Sequence, residues 1–413
     1  MISTHARGGT WLAVVLMAAL VLPLGAPATA AHGASATEQA IIALLPYRLG
    51  EGQAPDGFIA FAQSATSNVA LAFSLPAEQR DAALASLRDG GRIAGLEQQF
   101  EPAGAAAPII RYGVSLYASA EQALTALGAA TMPDVAAAPA PFAAPRLGDS
   151  VLALSSPGAP DASAGPAVLL AWTRGRLLFA ILAAGRVDDA QDTLEAQVVA
   201  FAQAADDQAS TVAAVLPAAP EARDGDAAAQ LALANAFESR QLTGDAAPPA
   251  FDFGGSYIWS NEQLVLDAAA PEETAQTITQ DWRRLTGEVA YFIATDGSRA
   301  VLSSVYEGFG DEAGASLALQ TPTLGAGSDD AIVPLLPPVT LGEEMIAYRA
   351  DVAWPQGETR RAYTLRWRQG RVLLGVSVNL PRGSAMPPYL ARLAQQLDAM
   401  YSADPVPLDA PAQ

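Results

Sequence analysis

Carboxylates are the residues of this chain with the widest range of chemistry open to them. Aspartate and glutamate total 43 against 23 basic residues, and the formal net charge is -20. There is no cysteine or lysine, and the two histidines, His5 and His32, lie near the N-terminus. This composition excludes Ser-His-Asp and Cys-His catalysis, histidine or cysteine zinc sites, Schiff bases and P-loops. A pair of carboxylates acting as in a glycoside hydrolase remains available.

Two pairs of acidic residues recur at equivalent places in the sequence. Asp149 and Glu343 each follow a Leu-Gly dipeptide, and Asp89 and Asp281 occupy corresponding positions of similar segments. Because an acid is kept in both of the similar segments, we infer a requirement of the fold. A catalytic acid would more often occur in only one of the two segments or between them. We therefore predict surface or capping roles for these acids, and no catalytic residue.

Metal ligands are restricted to oxygen, which leaves calcium as the one compatible metal. The segments Asp224-Gly225-Asp226 and Asp329-Asp330 are acidic, but neither matches an EF-hand loop or a calcium-binding repeat. We expect solvated loop acids at both places, and no metal or cofactor.

An arginine row is the densest positive cluster of this acidic chain. Arg360, Arg366 and Arg368 fall on one face of a predicted strand, with Arg361 and Arg371 nearby. Such a row could bind an anionic ligand or dock the first part of the chain. The alternative is a set of cross-strand ion pairs with the abundant acids.

Aromatic residues are concentrated in the second part of the sequence. Tyr257, Trp259 and Trp354 would form a stacking platform for a sugar or peptide if they were exposed together. Core packing is the alternative for these three. Trp172 and Trp367 are equivalent positions and are assigned to the core.

The chain matches itself at an offset near 190 residues, which indicates an internal duplication. The first copy carries Trp172, Gly175 and Arg176, and 195 residues later the second carries Trp367, Gly370 and Arg371. Other matched pairs keep the same order with little drift. The predicted organisation is a first repeat over 41–206, a linker over 207–229, a second repeat over 230–403 and a flexible tail over 404–413.

Periodicity within the repeats predicts both strands and helices. Gly175 suits a tight hairpin turn, and residues 360–368 alternate as expected for a half-buried strand. Apolar residues at helical spacing close each repeat, and further helices fit 76–89, 120–129 and 271–285. We predict an α+β protein of two tandem homologous domains, each an antiparallel sheet with packed helices.

The N-terminal segment is typical of a secretory signal peptide, predicted over residues 1–30. Arg7 gives a positive start, Trp11 to Leu24 is a short apolar stretch, and Ala28-Thr29-Ala30 suits cleavage. No later apolar run is long enough to cross a bilayer. We therefore expect a secreted or cell-envelope protein with no membrane span after cleavage, and its acidity argues against a nucleic-acid partner.

In the order of its elements the chain resembles uncharacterised secreted proteins of GC-rich bacteria. That order is a helix, two strands, a helix, a strand that begins at Leu-Gly-Asp and a hairpin with a Gly-Arg turn. In layout it is also similar to PsbP-type and kinase-sensor-type extracytoplasmic α+β domains. This resemblance implies a non-catalytic protein that binds a ligand or a protein partner at the cell surface. A carboxylate-dependent glycan hydrolase and a structural envelope protein are the alternatives, and the ligand and oligomeric state stay open.

Overall fold

The computed structural model of the chain describes residues 35–50, 52–102, 108–132, 138–157, 165–186, 189–212, 216–217, 224–321, 332–353 and 358–408. Several sequence predictions fall outside these residues. They are the signal peptide 1–30, the acidic pair Asp329-Asp330 and the aromatic residue Trp354. The side chains of Asp224 and Asp226 are likewise outside the description.

The first part of the chain, residues 36–211, is called half one. Its helices are α1 (Ala36–Leu44), α2 (Asn68–Phe73), α3 (Arg80–Asp89), α4 (Ala120–Gly128) and α5 (Gln191–Thr211). Its strands are β1 (Phe58–Ser67), β2 (Arg92–Pro102), β3 (Ile109–Tyr117), β4 (Ala140–Pro141), β5 (Ser150–Ser156), β6 (Ala167–Arg174) and β7 (Leu177–Ala184).

The second part, residues 224–408, is called half two. Its helices are α6 (Asp224–Glu238), α7 (Asn261–Leu266), α8 (Pro271–Gln276), α9 (Glu312–Gln320) and α10 (Pro388–Ala403). Its strands are β8 (Phe251–Trp259), β9 (Arg284–Ala294), β10 (Val301–Phe309), β11 (Val333–Leu335), β12 (Glu344–Ala353), β13 (Thr359–Gln369) and β14 (Val372–Pro381).

Each half contains one seven-stranded antiparallel sheet, and the two sheets have the same strand order. The order is β1-β2-β3-β7-β6-β5-β4 in half one and β8-β9-β10-β14-β13-β12-β11 in half two. Helices separate the hairpins in the same places in both halves. The prediction of a mixed α+β protein built on antiparallel sheets is confirmed.

The hairpin turns of the two halves agree in detail. Gly175 and Gly370 adopt φ values of 56° and 55°, the left-handed region that glycine enters without penalty. The carboxylate of Asp149 accepts a hydrogen bond from the N–H of Gly175 at 2.7 Å, and Glu343 accepts one from Gly370 at 3.2 Å. These two acids therefore hold the hairpin turns.

An arginine–asparagine pair also recurs at the start of β2 and β9. Arg92 donates to the Asn68 side-chain oxygen at 2.9 Å, and Arg284 donates to that of Asn261 at 2.7 Å. Each asparagine in turn donates to the carbonyl oxygen of the same arginine. The pair fixes the helix that follows the edge strand against the second strand of each sheet.

The predicted half-buried strand is wrong for β13, which is buried on both faces. Arg360, Arg366 and Arg368 are 2%, 6% and 8% exposed, although they alternate with core residues of the opposite face. Helix α9 covers one end of the arginine side, where Ser316 donates to Glu344 on the neighbouring strand at 2.7 Å. Helix α10 packs on the other side, together with the fully buried Trp367. Helices on both faces remove the expected contrast in burial.

Helix boundaries differ from the sequence prediction in two places. Helix α5 continues to Thr211 and α6 begins at Asp224, so both overlap the segment 207–229 assigned to a linker. Helix α8 ends at Gln276 and passes through a π-turn before β9 begins. Among the residues that the structure describes, no helix is long and apolar enough to cross a membrane.

The two halves meet through equivalent elements, in a reciprocal arrangement. Helix α1 lies between β2 of its own sheet and α7 of half two, and α6 lies between β9 and α2 of half one. The side chain of Gln263 accepts a hydrogen bond from the edge-strand N–H of Ala65 at 2.9 Å. Arg80 forms an ion pair with Glu238 on α6. One apolar core cluster contains residues of both halves, so the contact is continuous with the interior.

Candidate functional site

The predicted site residues that the structure describes share one face of the sheet of half two. Arg360, Arg366 and Arg368 alternate along β13, and direct cross-strand pairs through β14, β10 and β9 connect Arg366 to Tyr257 on β8. Trp259 lies two residues further along the same strand. This surface is called the arginine face below.

Buried ion pairs occupy the middle of the arginine face. Glu307 on β10 accepts hydrogen bonds from Arg284 at 2.9 Å and from Arg366 at 2.5 Å. Burial raises the pKa of Glu307, but the two guanidinium groups outweigh it and leave the pKa below its ordinary value. The charge of Arg366 is therefore held by a carboxylate of its own half.

The other two arginines also contact acids of half two. Arg368 forms ion pairs with Glu343 at 2.6 Å and Glu344 at 3.0 Å. Arg360 donates to the carbonyl oxygen of Ser298 at 2.7 Å and lies 3.3 Å from the carboxylate of Glu358. These contacts agree with the cross-strand ion-pair interpretation of the row, and the three arginines do not converge on a common point.

Of the predicted aromatic platform, the structure describes Tyr257 and Trp259, and Trp259 is buried instead of exposed. Trp259 is 5% exposed, belongs to the core and has the Arg284 guanidinium 5.3 Å from its ring centroid. Tyr257 is half-buried, and its ring lies 6.2 Å from that of Tyr291 on the neighbouring strand. Burial raises the pKa of Tyr257, with a further increase from the nearby Asp267. The available aromatic pair is therefore Tyr257 with Tyr291.

A line of hydroxyl groups crosses five strands of the arginine face, and sequence reasoning missed it. Its members are direct cross-strand neighbours from β9 to β12. We call this set the polar row, and it consists of Tyr291, Ser303, Ser377, Thr364 and Tyr348. Because strands lie about 5 Å apart, the row is about 19 Å long, and its three small residues span about 10 Å between the tyrosines.

The polar row is close enough to form hydrogen bonds within itself. The hydroxyl oxygens of Thr364 and Ser377 lie 3.0 Å apart. Burial raises the pKa of the Tyr348 phenol, which interacts with both Arg366 and Thr364. Ser303, Ser377 and Tyr291 are half-buried, so this end of the row is accessible to solvent. The row offers neutral donors and acceptors in a partly desolvated place.

Half one shows what the fold alone requires at these positions. The same row of its sheet runs through Gln99, Arg111, Leu182, Leu169 and Leu154. Three leucines therefore stand where half two has serine, threonine and tyrosine. The hydroxyls are not needed to build the sheet, and this divergence between the copies is the sequence signal that would have located them.

Carboxylates do not form a metal site in the part of the chain that the structure describes. That part contains no group of three acidic, histidine or cysteine residues placed to hold an ion. The polar row itself has no carboxylate, so its chemistry is hydrogen bonding and stacking. No protein-family model, curated protein or solved structure matches the chain.

Proposed function

We propose that the chain is an exported, non-enzymatic protein that binds a small neutral, hydroxyl-bearing ligand, such as a sugar, at the polar row of half two. The observation that carries the proposal is the replacement of three leucines of half one by Ser377, Thr364 and Tyr348 at the same fold positions. A polar group on a covered sheet face costs free energy unless it gains a partner.

The character of the ligand follows from the groups that the site offers. Tyr257 and Tyr291 give an aromatic surface of the kind that packs on the apolar side of a sugar ring. Ser303, Ser377 and Thr364 offer hydroxyls that both donate and accept. The neighbouring arginines are already paired with acids, which favours a neutral ligand over an anion.

Two other functions remain as alternatives. A glycan hydrolase requires two carboxylates facing one cleft, about 5 to 10 Å apart. On the face of the polar row, Asp252 lies two register positions away and is exposed, and both oxygens of the buried Glu307 contact arginines. A structural envelope protein would require no ligand at all, and the hydroxyls of half two would then serve only the hydrogen bonds that they form among themselves.

The experiment is a calorimetric titration of the purified chain with a panel of mono- and oligosaccharides. Native mass spectrometry of the protein recovered from a bacterial host first shows whether the segment 1–30 has been removed. For a saccharide that binds, we expect Thr364→Val and Ser377→Ala each to weaken binding about tenfold, the value of one lost hydrogen bond.

The matched control is Ser150→Ala, which removes a hydroxyl from the corresponding face of half one. It is expected to leave affinity unchanged. Absence of binding across the panel, or equal binding by the wild type and both half-two variants, would show that the polar row is not the site. Release of reducing sugar from an oligosaccharide would instead support the hydrolase.

A further inference from the structure

Carboxyl groups with raised pKa values are concentrated where the two halves meet. Among the residues that the structure describes, the four that show this increase are Glu38, Glu262, Asp267 and Glu288. None of the four takes part in the salt bridges of the described chain. That part contains no histidine or cysteine, so carboxyl groups are what titrates between about pH 4 and 8.

Asp267 is part of a hydrogen-bond network that crosses between the halves. Gln263 donates to its carboxylate at 2.8 Å, and the same glutamine accepts from the N–H of Ala65 in half one. Gln63 of half one also contacts Asp267, and Arg48 donates to Gln63 at 3.2 Å. Burial raises the pKa of Asp267 to about 7, against the smaller opposing effects of these partners. Its charge therefore changes near neutral pH, inside the contact.

Glu38 and Glu262 face each other across the contact of α1 with α7. Glu38 is 1% exposed and accepts a hydrogen bond from Thr279 of half two at 3.1 Å. Glu262 is 6% exposed, and the charged group nearby that opposes its rise is Arg284. Burial raises the pKa of both acids, and their mutual repulsion adds to that of Glu262. Ionisation of both would place two like charges in one buried contact.

Glu288 lies on β9 behind α6, the helix that makes the reciprocal contact with α2. It is fully buried, Gln241 donates to one of its oxygens, and its second oxygen has no hydrogen-bond partner. The charges that act on it are Glu238 and Arg80, the ion pair that joins the halves, with Tyr257 and Tyr306 also close. Burial raises its pKa well above the ordinary value.

We propose that the contact between the halves is a pH-sensitive switch, closed in acid and loosened as these carboxyl groups ionise. The direction follows from linkage. A carboxyl group that is harder to ionise in the folded protein makes the contact more stable at low pH than at high pH. This added stability is lost as the pH rises from about 4 through the pKa of the folded state. For Asp267 that window ends near pH 7. Both reciprocal contacts are affected in the same direction.

The experiment is hydrogen exchange with mass spectrometry on the full chain, at about pH 5.5 and about pH 8, corrected for the intrinsic exchange rate. Peptides from β1 and α7 report the contact, and peptides from β7 report a part of half one away from it. We expect protection in β1 and α7 to fall about tenfold or more between the two conditions, with a smaller change in β7.

Asp267→Asn, alone and combined with Glu38→Gln, is expected to remove most of this loss while keeping the protection seen in acid. Asp252→Asn is the matched control, because Asp252 is an exposed acid on β8. Equal protection of β1 and α7 at both pH values in the wild type overturns the proposal. So does an undiminished loss in the double variant. No ligand enters the experiment, so its result is independent of the proposed binding function.

Discussion

A single carboxylate, Glu307, holds two buried arginines of half two. Its side chain is 4% exposed, and those of Arg284 and Arg366 are 0% and 8% exposed. Such a group is seldom a net source of stability, because three charges must be desolvated to form it. Once it is formed, however, loss of the anion leaves two buried cations that repel each other. Removing the carboxylate is therefore expected to destabilise the fold by more than the intact triad stabilises it.

Glu307→Gln is expected to lower the free energy of unfolding by about 3 kcal/mol or more. The physical reason is that the amide cannot balance the charges of Arg284 and Arg366. Urea unfolding followed by far-ultraviolet circular dichroism measures the difference. Arg88→Gln is the control, because Arg88 pairs with Asp89 on the surface, where loss of a pair costs about 1 kcal/mol or less. Similar costs for the two variants would contradict this account of the triad.

Turns rather than strands contain the most specific sequence requirements of the two sheets. Gly148 and Gly342 precede β5 and β12 with φ values of 44° and 56°. A Cβ atom there would lie 2.1 or 2.2 Å from a backbone carbonyl oxygen of the next strand. The hairpin glycines Gly175 and Gly370 also have positive φ, but a Cβ atom there meets no atom within 4 Å. The two kinds of position therefore share a backbone conformation, but only the hairpin positions have room for a Cβ atom.

Alanine at the two kinds of position should separate backbone strain from steric overlap. Gly370→Ala is expected to lower the unfolding free energy by about 1 to 2 kcal/mol, the cost of a left-handed backbone. Gly342→Ala adds the overlap with the carbonyl oxygen and is expected to cost about 2 to 5 kcal/mol. Gly175→Ala and Gly148→Ala repeat the comparison in half one, by urea unfolding. A larger cost at the hairpin position in either half would be inconsistent with the geometry.

Local sequence patterns predict the helices and strands more reliably than they predict what packs against them. The hairpin at Gly175 and the core positions of Trp172 and Trp367 are confirmed, because turn geometry and residue size act locally. The alternation in β13 predicts one exposed face, but α9, from a separate part of the chain, covers one end of that face. Ion pairs make the burial of the arginines tolerable there. The residues of the polar row come from strands spread between residues 291 and 377, so no short segment of the sequence contains the row. Register between strands, which decides the row, is a tertiary property.

At the scale of the whole molecule, the duplication produces a reciprocal contact instead of two separate bodies. Each half places its first helix between its own sheet and the other half, as α1 and α6 show. Such mutual use of equivalent surfaces is what two-fold assemblies do, here within one chain. The sequence offset predicts two copies, but it carries no information on how they pack. The packing depends on side chains such as Gln263 and Arg80, whose partners lie in the other half.

Because one apolar core cluster contains residues of both halves, we expect the chain to unfold as a single cooperative unit in acid. Gly148→Ala in half one and Gly342→Ala in half two provide the test, since each weakens one half directly. At about pH 5, below the pKa of about 7 of Asp267, scanning calorimetry should give one endotherm, and either variant should move all of it to lower temperature. Independent halves would behave differently: two endotherms would appear, and each variant would move one and leave the other in place. That outcome would mean that the contact between the halves contributes too little free energy to couple them.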